Sequence, residues 1–403
     1  MCSPMYDYKL KIEKLMIVLT DPDEAKRRGY KHYKNIYYPT EKNKEVIISY
    51  QQTLTINAFK ESTIHNKLSI LRFFAEHYHK DFELMTKQDV KQLLFKIETE
   101  KTSRDKERTA ASKAIKKQLV KDFLKFLFEE EIVKEKFFES IHVKIPNTTV
   151  TADDIYTEEE VNAMIGKAIN SRDKAFIALL YDVGGRIGEI LPMKLRSIEQ
   201  LDKAIRITIS GKTGTRSMLL ESSIFYVRQW LNAHPDRNNP EAYLWCTLNE
   251  CGTKEHVNYI TMLKNVKDIA KKAGITKRIY NHAFRHSSVT RDAEHYSEAL
   301  NKTKHGWSPS SNMLSNYSHL NSANLEKAQL EKMGLAPIKI NRELNRCQNC
   351  DEINPYDFKW CGKCGYGLNA EVRKEKDSLI TDILSQLQKN PEIFAEALTR
   401  MKA

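Results

Sequence analysis

The sequence predicts a mainly α protein with one small β-hairpin or sheet and, near its C-terminus, a compact cysteine-held ribbon. Three observations carry that prediction. Apolar residues recur at helical spacing through residues 46–142 and through most of 156–333. Ala204-Ile205-Arg206-Ile207-Thr208-Ile209 alternates at period two, then runs into Gly211-Lys212-Thr213-Gly214 and the apolar Met218-Leu219-Leu220, the pattern of a hairpin. Two CxxC pairs, Cys347/Cys350 and Cys361/Cys364, stand ten residues apart.

Taken in chain order, residues 1–45 are rich in Tyr, Lys and Asp with weak periodicity and read as an N-terminal arm. Residues 46–142 read as an all-helical domain with three stripes: Ile64, Leu68, Leu71, Ala75 and Tyr78; Val90, Leu93, Leu94 and Ile97; Leu119, Val120, Phe123, Leu124 and Leu127. Thr86 with Asp89 resembles a helix-start box, Asp being a weaker partner than Glu. Residues 143–155 hold a proline and several threonines without helical period and read as a linker. Residues 156–333 form a second domain, opened by the Thr157/Glu160 capping box and containing an apolar helix that ends at Gly184-Gly185. A ribbon follows at 345–368. Residues 372–403 then carry two amphipathic helices, one marked by Leu379, Ile380, Ile383, Leu384 and Leu387 and one starting at Pro391.

Composition narrows the partners. The 403 residues carry 65 Lys+Arg against 53 Asp+Glu, a formal charge of +12, which favours a polyanion and first of all nucleic acid. The densest basic run (Lys101, Arg104, Lys106, Arg108, Lys113, Lys116, Lys117 and Lys121) is a candidate DNA-tracking face, with an ordinary charged helix surface as the competing reading. No stretch of about 18 apolar residues exists, so no membrane association is expected. The uneven cysteines are unlike a secreted disulfide scaffold, and a reducing cytoplasm is expected.

The residues that carry chemistry are spread widely along the chain. Arg186 lies in Gly184-Gly185-Arg186-Ile187-Gly188-Glu189 as a lone, buried-looking arginine; His282-Ala283-Phe284-Arg285-His286, Gly306-Trp307 and Tyr317 follow far downstream. Two guanidiniums can clamp a phosphate, a histidine can move or orient a proton, and a late tyrosine can act as nucleophile. Together they outline a phosphodiester-cleaving site that needs no metal.

These motifs, in this order, resemble the tyrosine recombinase or phage integrase family, and their wording is most like integrases of archaea and mobile elements. Gly-Gly-Arg-Ile-Gly-Glu, Gly-Lys-Thr-Gly, His-Ala-Phe-Arg-His, Gly-Trp-Ser and Asn-Tyr-Ser-His-Leu carry the resemblance. It implies a core-binding domain at 46–142 and a catalytic domain at 156–333, both acting on double-stranded DNA. By the same resemblance Arg186 and Arg285 would hold the scissile phosphate and Lys212, on a mobile hairpin tip, would protonate the leaving 5′ oxygen. His282 would assist proton transfer or orient the attacking group, Trp307 would stand where many relatives carry a second histidine, and Tyr317 would form a 3′-phosphotyrosyl link. Glu189 would orient Arg186. Tyr280 and Tyr296 are rival nucleophiles, too early in the order, and the Asp292–His295 segment beside Tyr296 looks solvent-facing. The chain departs from the family at Gly185, where a leucine is usual, and in the ten-residue step from Trp307 to Tyr317, about one residue long. His305 fits the third basic position less well than Trp307.

The expected activity is site-specific recombination or integration without ATP or catalytic metal, by a tetramer on paired sites that is a monomer or dimer when free, in the cytoplasm and on the nucleoid. Alternatives are a type IB topoisomerase-like nicking and closing enzyme, and a zinc-containing DNA-binding protein with a vestigial site. The paired CxxC knuckles Cys347, Cys350, Cys361 and Cys364 point to a structural Zn2+ in a four-cysteine zinc ribbon, since four thiolates close a tetrahedral site.

Overall fold

The computed structural model describes residues 7–30, 39–101, 106–144, 146, 150–202, 204–211, 214–248, 256–317, 329–330, 332–333, 345–355 and 358–389. It divides into two compact units, 3–148 and 149–403.

The first unit is helical: α1 (Tyr8–Thr20), α2 (Pro22–Arg27), α3 (Glu41–Ile56), α4 (Glu61–His77), α5 (Lys87–Thr99) and α6 (Ala110–Glu129). Its core is aromatic, with Tyr50, Phe74, Phe82, Phe123 and Phe126 in mutual ring contact. The Thr86/Asp89 box is complete: the Asp89 carboxylate accepts from the Thr86 N–H at 2.9 Å, and the Asp89 N–H donates to the Thr86 hydroxyl at 3.2 Å.

One expectation changes here. The segment expected to be an arm holds α1, whose Ile12, Leu15 and Leu19 are buried in the same core as α3 and α4. Lysines and glutamates interleaved in this short stripe mask it in the sequence. Four members of the basic run also pair with two carboxylates of the same unit. Lys113 and Lys117 pair with Glu98 at 3.2 and 2.5 Å, while Lys116 and Arg108 pair with Glu100 at 2.7 and 3.3 Å. Lys121 donates to the Ile141 carbonyl. Arg104 lies outside the described residues.

The second unit contains α7 (Glu158–Lys167), α8 (Ser171–Val183), α9 (Ile187–Ile190), α10 (Ile224–Ala233), α11 (Tyr259–Lys272), α12 (Asn281–Asp292) and α13 (Glu298–Lys304). The hairpin is part of a three-stranded antiparallel sheet: β1 (Ile198–Gln200), β2 (Ile205–Gly211) and β3 (Gly214–Leu219), in the order β1-β2-β3 with Gly211 opposite Gly214. Central α8 is buried nearly all round and packs on α7, α10 and α12, so its C-terminus is placed rigidly. Gly184 caps it in the left-handed region, φ +59°, as a helix C-terminus favours.

The end of the expected linker belongs to this unit. Val150 is buried against Val289 and Tyr317, and its N–H donates to the Asn316 carbonyl at 3.2 Å. Two buried apolar residues, Val289 and Tyr317, give Val150 an apolar surface to pack on. The ribbon forms a two-stranded sheet from β4 (Asn345–Arg346) and β5 (Ile353–Asn354), followed by α14 (Ala370–Lys389). The second C-terminal helix, from Pro391, lies outside the described residues, as does Lys212.

Candidate active site

Arg285 is the centre of the site. On α12 it shares a face with His282, three residues earlier, and Val289, four later. At 2 % exposure its Nη1 donates to the Gly184 carbonyl at 2.8 Å and its Nη2 to the His305 carbonyl at 2.6 Å. Burial, then the charge of Arg186, lowers its pKa to about 10, so the guanidinium stays charged at neutral pH. Two of its five N–H donors are spent on carbonyls, leaving the others for an anion. The guanidinium carbon also stands 5.1 Å from the centre of the Trp307 ring, a cation–π contact.

Arg186 is less buried than the sequence suggests, its side chain being 36 % exposed. It follows Gly185, where a Cβ would come within 2.6 Å of the Ile190 side chain, so a larger residue would not fit without movement. Glu189 holds it through Nη1 at 3.0 Å, and the same carboxylate takes Arg216 of β3 at 2.8 Å. Burial alone would raise the Glu189 pKa; the hydrogen bonds and charges of Arg216 and Arg186 outweigh it and hold the group below the usual carboxylate range. The two glycines of the hairpin have different reasons. Gly214 adopts φ +109°, whereas a Cβ on Gly211 would lie 2.4 Å from the Glu189 carboxylate.

Tyr317 ends a short 3-10 turn, Met313–Tyr317, and is 4 % exposed. It packs with Val150, Val289, Ile155, Trp307 and Leu314. Burial raises its phenol to about 12, with Arg285 pulling the other way. Its hydroxyl stands 2.6 Å from Nδ1 of His286. The rival tyrosines are directed elsewhere: Tyr280 donates to Asp154 at 2.8 Å and Tyr296 to Glu221 at 2.5 Å. His282 keeps an exposed edge, while its ring meets that of His286 edge-on at 4.7 Å. Burial of the ring, then unfavourable interaction with a second proton on His286 and with the charges of Arg285 and Arg186, pulls its pKa below the usual histidine range.

Behind these groups lies a network that the motifs do not announce. Asp292, expected at the surface, is 1 % exposed because α12 carries it inward; it accepts from His305 Nε2 at 2.9 Å and pairs with Lys304 at 3.0 Å. His305, fully buried, lends its carbonyl to Arg285 and its ring to Asp292. Arg216, His286 and the Asp292–His305 pair are contacts between distant positions, so no local spacing marks them.

The four cysteines converge. Their sulfurs lie within 4.8 Å of one another, with Cys347–Cys364 and Cys350–Cys361 each at 3.6 Å. Tetrahedral thiolates about 2.3 Å from one ion would be spaced by roughly 3.8 Å, so the set fits a single metal of that kind. The ribbon docks on α10: Phe225 meets Phe358 at 5.0 Å between ring centres, and Arg228 pairs with buried Glu352. At Gly362, in the second knuckle, a Cβ would collide with the Phe225 ring at 2.1 Å.

The phage integrase family model matches residues 155–324. A tyrosine recombinase of Thermosipho africanus is 26 % identical over 240 residues, covering 58 % of this chain and 80 % of the relative. The tyrosine recombinase XerA of Pyrococcus horikoshii is 28 % identical over 174 residues, covering 43 % of this chain but only 58 % of its own length. Among solved structures, a lambda integrase tetramer bound to a Holliday junction aligns with TM-score 0.53 at 13 % identity, over 72 % of this chain and 82 % of that one. XerH bound to a palindromic difH substrate, after cleavage, aligns with TM-score 0.52 at 14 % identity, over 83 % and 100 %. At these identities the structures speak for the fold. Residues 155–324 thus match the phage integrase family, and over that segment the chain is similar to recombinases of the tyrosine type.

Proposed function

We propose that the protein is a site-specific recombinase or integrase that cuts and rejoins double-stranded DNA through a 3′-phosphotyrosyl intermediate, with Tyr317 as nucleophile. One observation carries the reading: of the candidate tyrosines Tyr280, Tyr296 and Tyr317, Tyr317 is the one that packs with Trp307, whose ring lies against the Arg285 guanidinium, while Tyr280 and Tyr296 are tied to carboxylates. Arg285 and Arg186 hold the non-bridging oxygens and offset the charge of the pentavalent transition state. Lysine could not copy that fork. Glu189 orients Arg186, Trp307 packs beside the phenol and donates one hydrogen bond to a phosphate oxygen, and His282 helps orient the attacking group.

Lys212, between the paired glycines at the hairpin tip, protonates the leaving 5′ oxygen. Because the phosphodiester energy is kept in the tyrosyl link, rejoining needs no ATP. The lambda integrase tetramer bound to a Holliday junction, whose fold this chain is similar to, supports a tetramer as the working form. Zn2+ held by Cys347, Cys350, Cys361 and Cys364 is structural, with all four positions filled by sulfur.

The test is a pool of nicked duplexes carrying a randomised segment, from which covalent protein–DNA adducts are recovered under denaturing conditions. Wild-type protein is expected to enrich a defined sequence linked through its 3′ phosphate, and Tyr317→Phe to yield no adduct. An undiminished adduct from Tyr317→Phe refutes the assignment.

A further inference from the structure

We propose that His286 is the base that takes the phenolic proton of Tyr317 as the phenol attacks phosphorus, an assignment that rests on the phosphotyrosyl reading above. The geometry is direct. His286 Nδ1 lies 2.6 Å from the Tyr317 hydroxyl, the rings are 5.7 Å apart between centres, and both side chains are largely enclosed. Among the described residues, this is the phenol's hydrogen-bond partner.

The phenol needs such a partner. Burial holds Tyr317 protonated, raising its pKa to about 12, so very little phenolate exists at neutral pH. The other groups around it are poor acceptors: Arg285 is cationic and the Trp307 indole only donates. His282 sits one helical turn earlier and meets the His286 ring. His286 itself is biased to the neutral form that can accept a proton, chiefly by burial and also by Arg285. Asp154, which accepts from Tyr280, opposes that bias and favours the imidazolium once it forms. Tyr280 closes this side, its ring 6.5 Å from that of His286.

The step balances without any added reagent. The Tyr317 O–H bond breaks and its proton passes to Nδ1 of His286; the phenolic oxygen bonds to phosphorus; the bond from phosphorus to the 5′ oxygen breaks, and that oxygen takes its proton from the acid. Rejoining reverses each transfer, His286 returning the proton to the phenol.

The test uses the full-length protein and the adduct-forming nicked duplex, with single-turnover cleavage rates for wild type and His286→Asn on two versions of it. One has an ordinary phosphate; the other has a 5′-bridging phosphorothiolate, whose sulfur leaves without needing a proton. His286→Asn is expected to bind the duplex normally and cleave at least about 100-fold more slowly. The phosphorothiolate should leave that defect in place while rescuing Lys212→Ala. A rate within about threefold of wild type, or rescue of His286→Asn by the phosphorothiolate, overturns the proposal. Should His286→Asn not fold, the wild-type rate on the phosphorothiolate duplex decides by its pH profile. A loss of rate on acidification, centred below the ordinary histidine pKa, is expected, and a rate flat from about pH 5 to 8 overturns the assignment. An adduct from Tyr317→Phe would instead remove the underlying reading, whatever His286→Asn does.

Discussion

Asp292 keeps a full charge at 1 % exposure because His305, Lys304 and Arg291 surround its carboxylate at 2.9, 3.0 and 3.3 Å. Burial alone would raise its pKa; the hydrogen bond from His305, then the neighbouring charges, bring it to about 2. Burial keeps His305 neutral, lowering its pKa to about 4. Both shifts give stability that acid removes. The His305 contribution is complete above the unfolded histidine pKa of about 6.5 and erodes as pH falls towards 4; that of Asp292 is complete above about 4 and erodes towards 2. Removing one partner strands the others, so Asp292→Ala should lower stability in denaturant titration by about 3 kcal/mol at pH 7, a loss that shrinks only as pH falls from about 4 towards 2. A loss under about 1 kcal/mol at pH 7 would show that the network does not support the fold. Arg186, Arg285 and Tyr317 could be picked out of the sequence because their neighbours form recognisable words. Asp292 and His305 could not: thirteen residues apart, they meet only after α12 and α13 have folded, and Asp292 stands among surface-like residues.

At the scale of elements, α5 and α6 settle what the basic run can do. Glu98 and Glu100 on α5 and just past its end each meet two cations contributed by α6 and the segment before it, so much of the run is matched within its own unit. The sequence hides this, because the carboxylates precede the window that looks basic. If Lys113 and Lys117 each contacted a phosphate, replacing both with alanine would flatten the dependence of log K on log salt by about 1.8. Paired with Glu98, they should change it by less than about 0.5, as read by DNA binding across a salt titration. A change near the larger value would restore these lysines as DNA contacts. Stripes that stayed continuous, such as those of α4 and α6, were plain in the sequence; α1 was not, since charges interrupt its short apolar face.

For the molecule as a whole, the ribbon and the rest of the second unit depend on each other unequally. Two short strands and four cysteines cannot supply a core, so a metal held by the four thiolates would provide most of the ribbon's folding energy, whereas α8 and its neighbours have an apolar core of their own. Removing the metal with a chelator should therefore speed hydrogen exchange at least about tenfold through residues 345–368 and along the exposed Phe225 face of α10, and leave α8 protected. Unchanged exchange in the ribbon would argue against a metal-held fold. The two units also differ optically. All four tryptophans (Trp230, Trp245, Trp307 and Trp360) fall in 149–403, so indole emission is blind to the first unit, whose signal comes from tyrosine alone. Trp307, stacked against the Arg285 guanidinium, gives that emission a built-in gauge of what occupies the anion pocket.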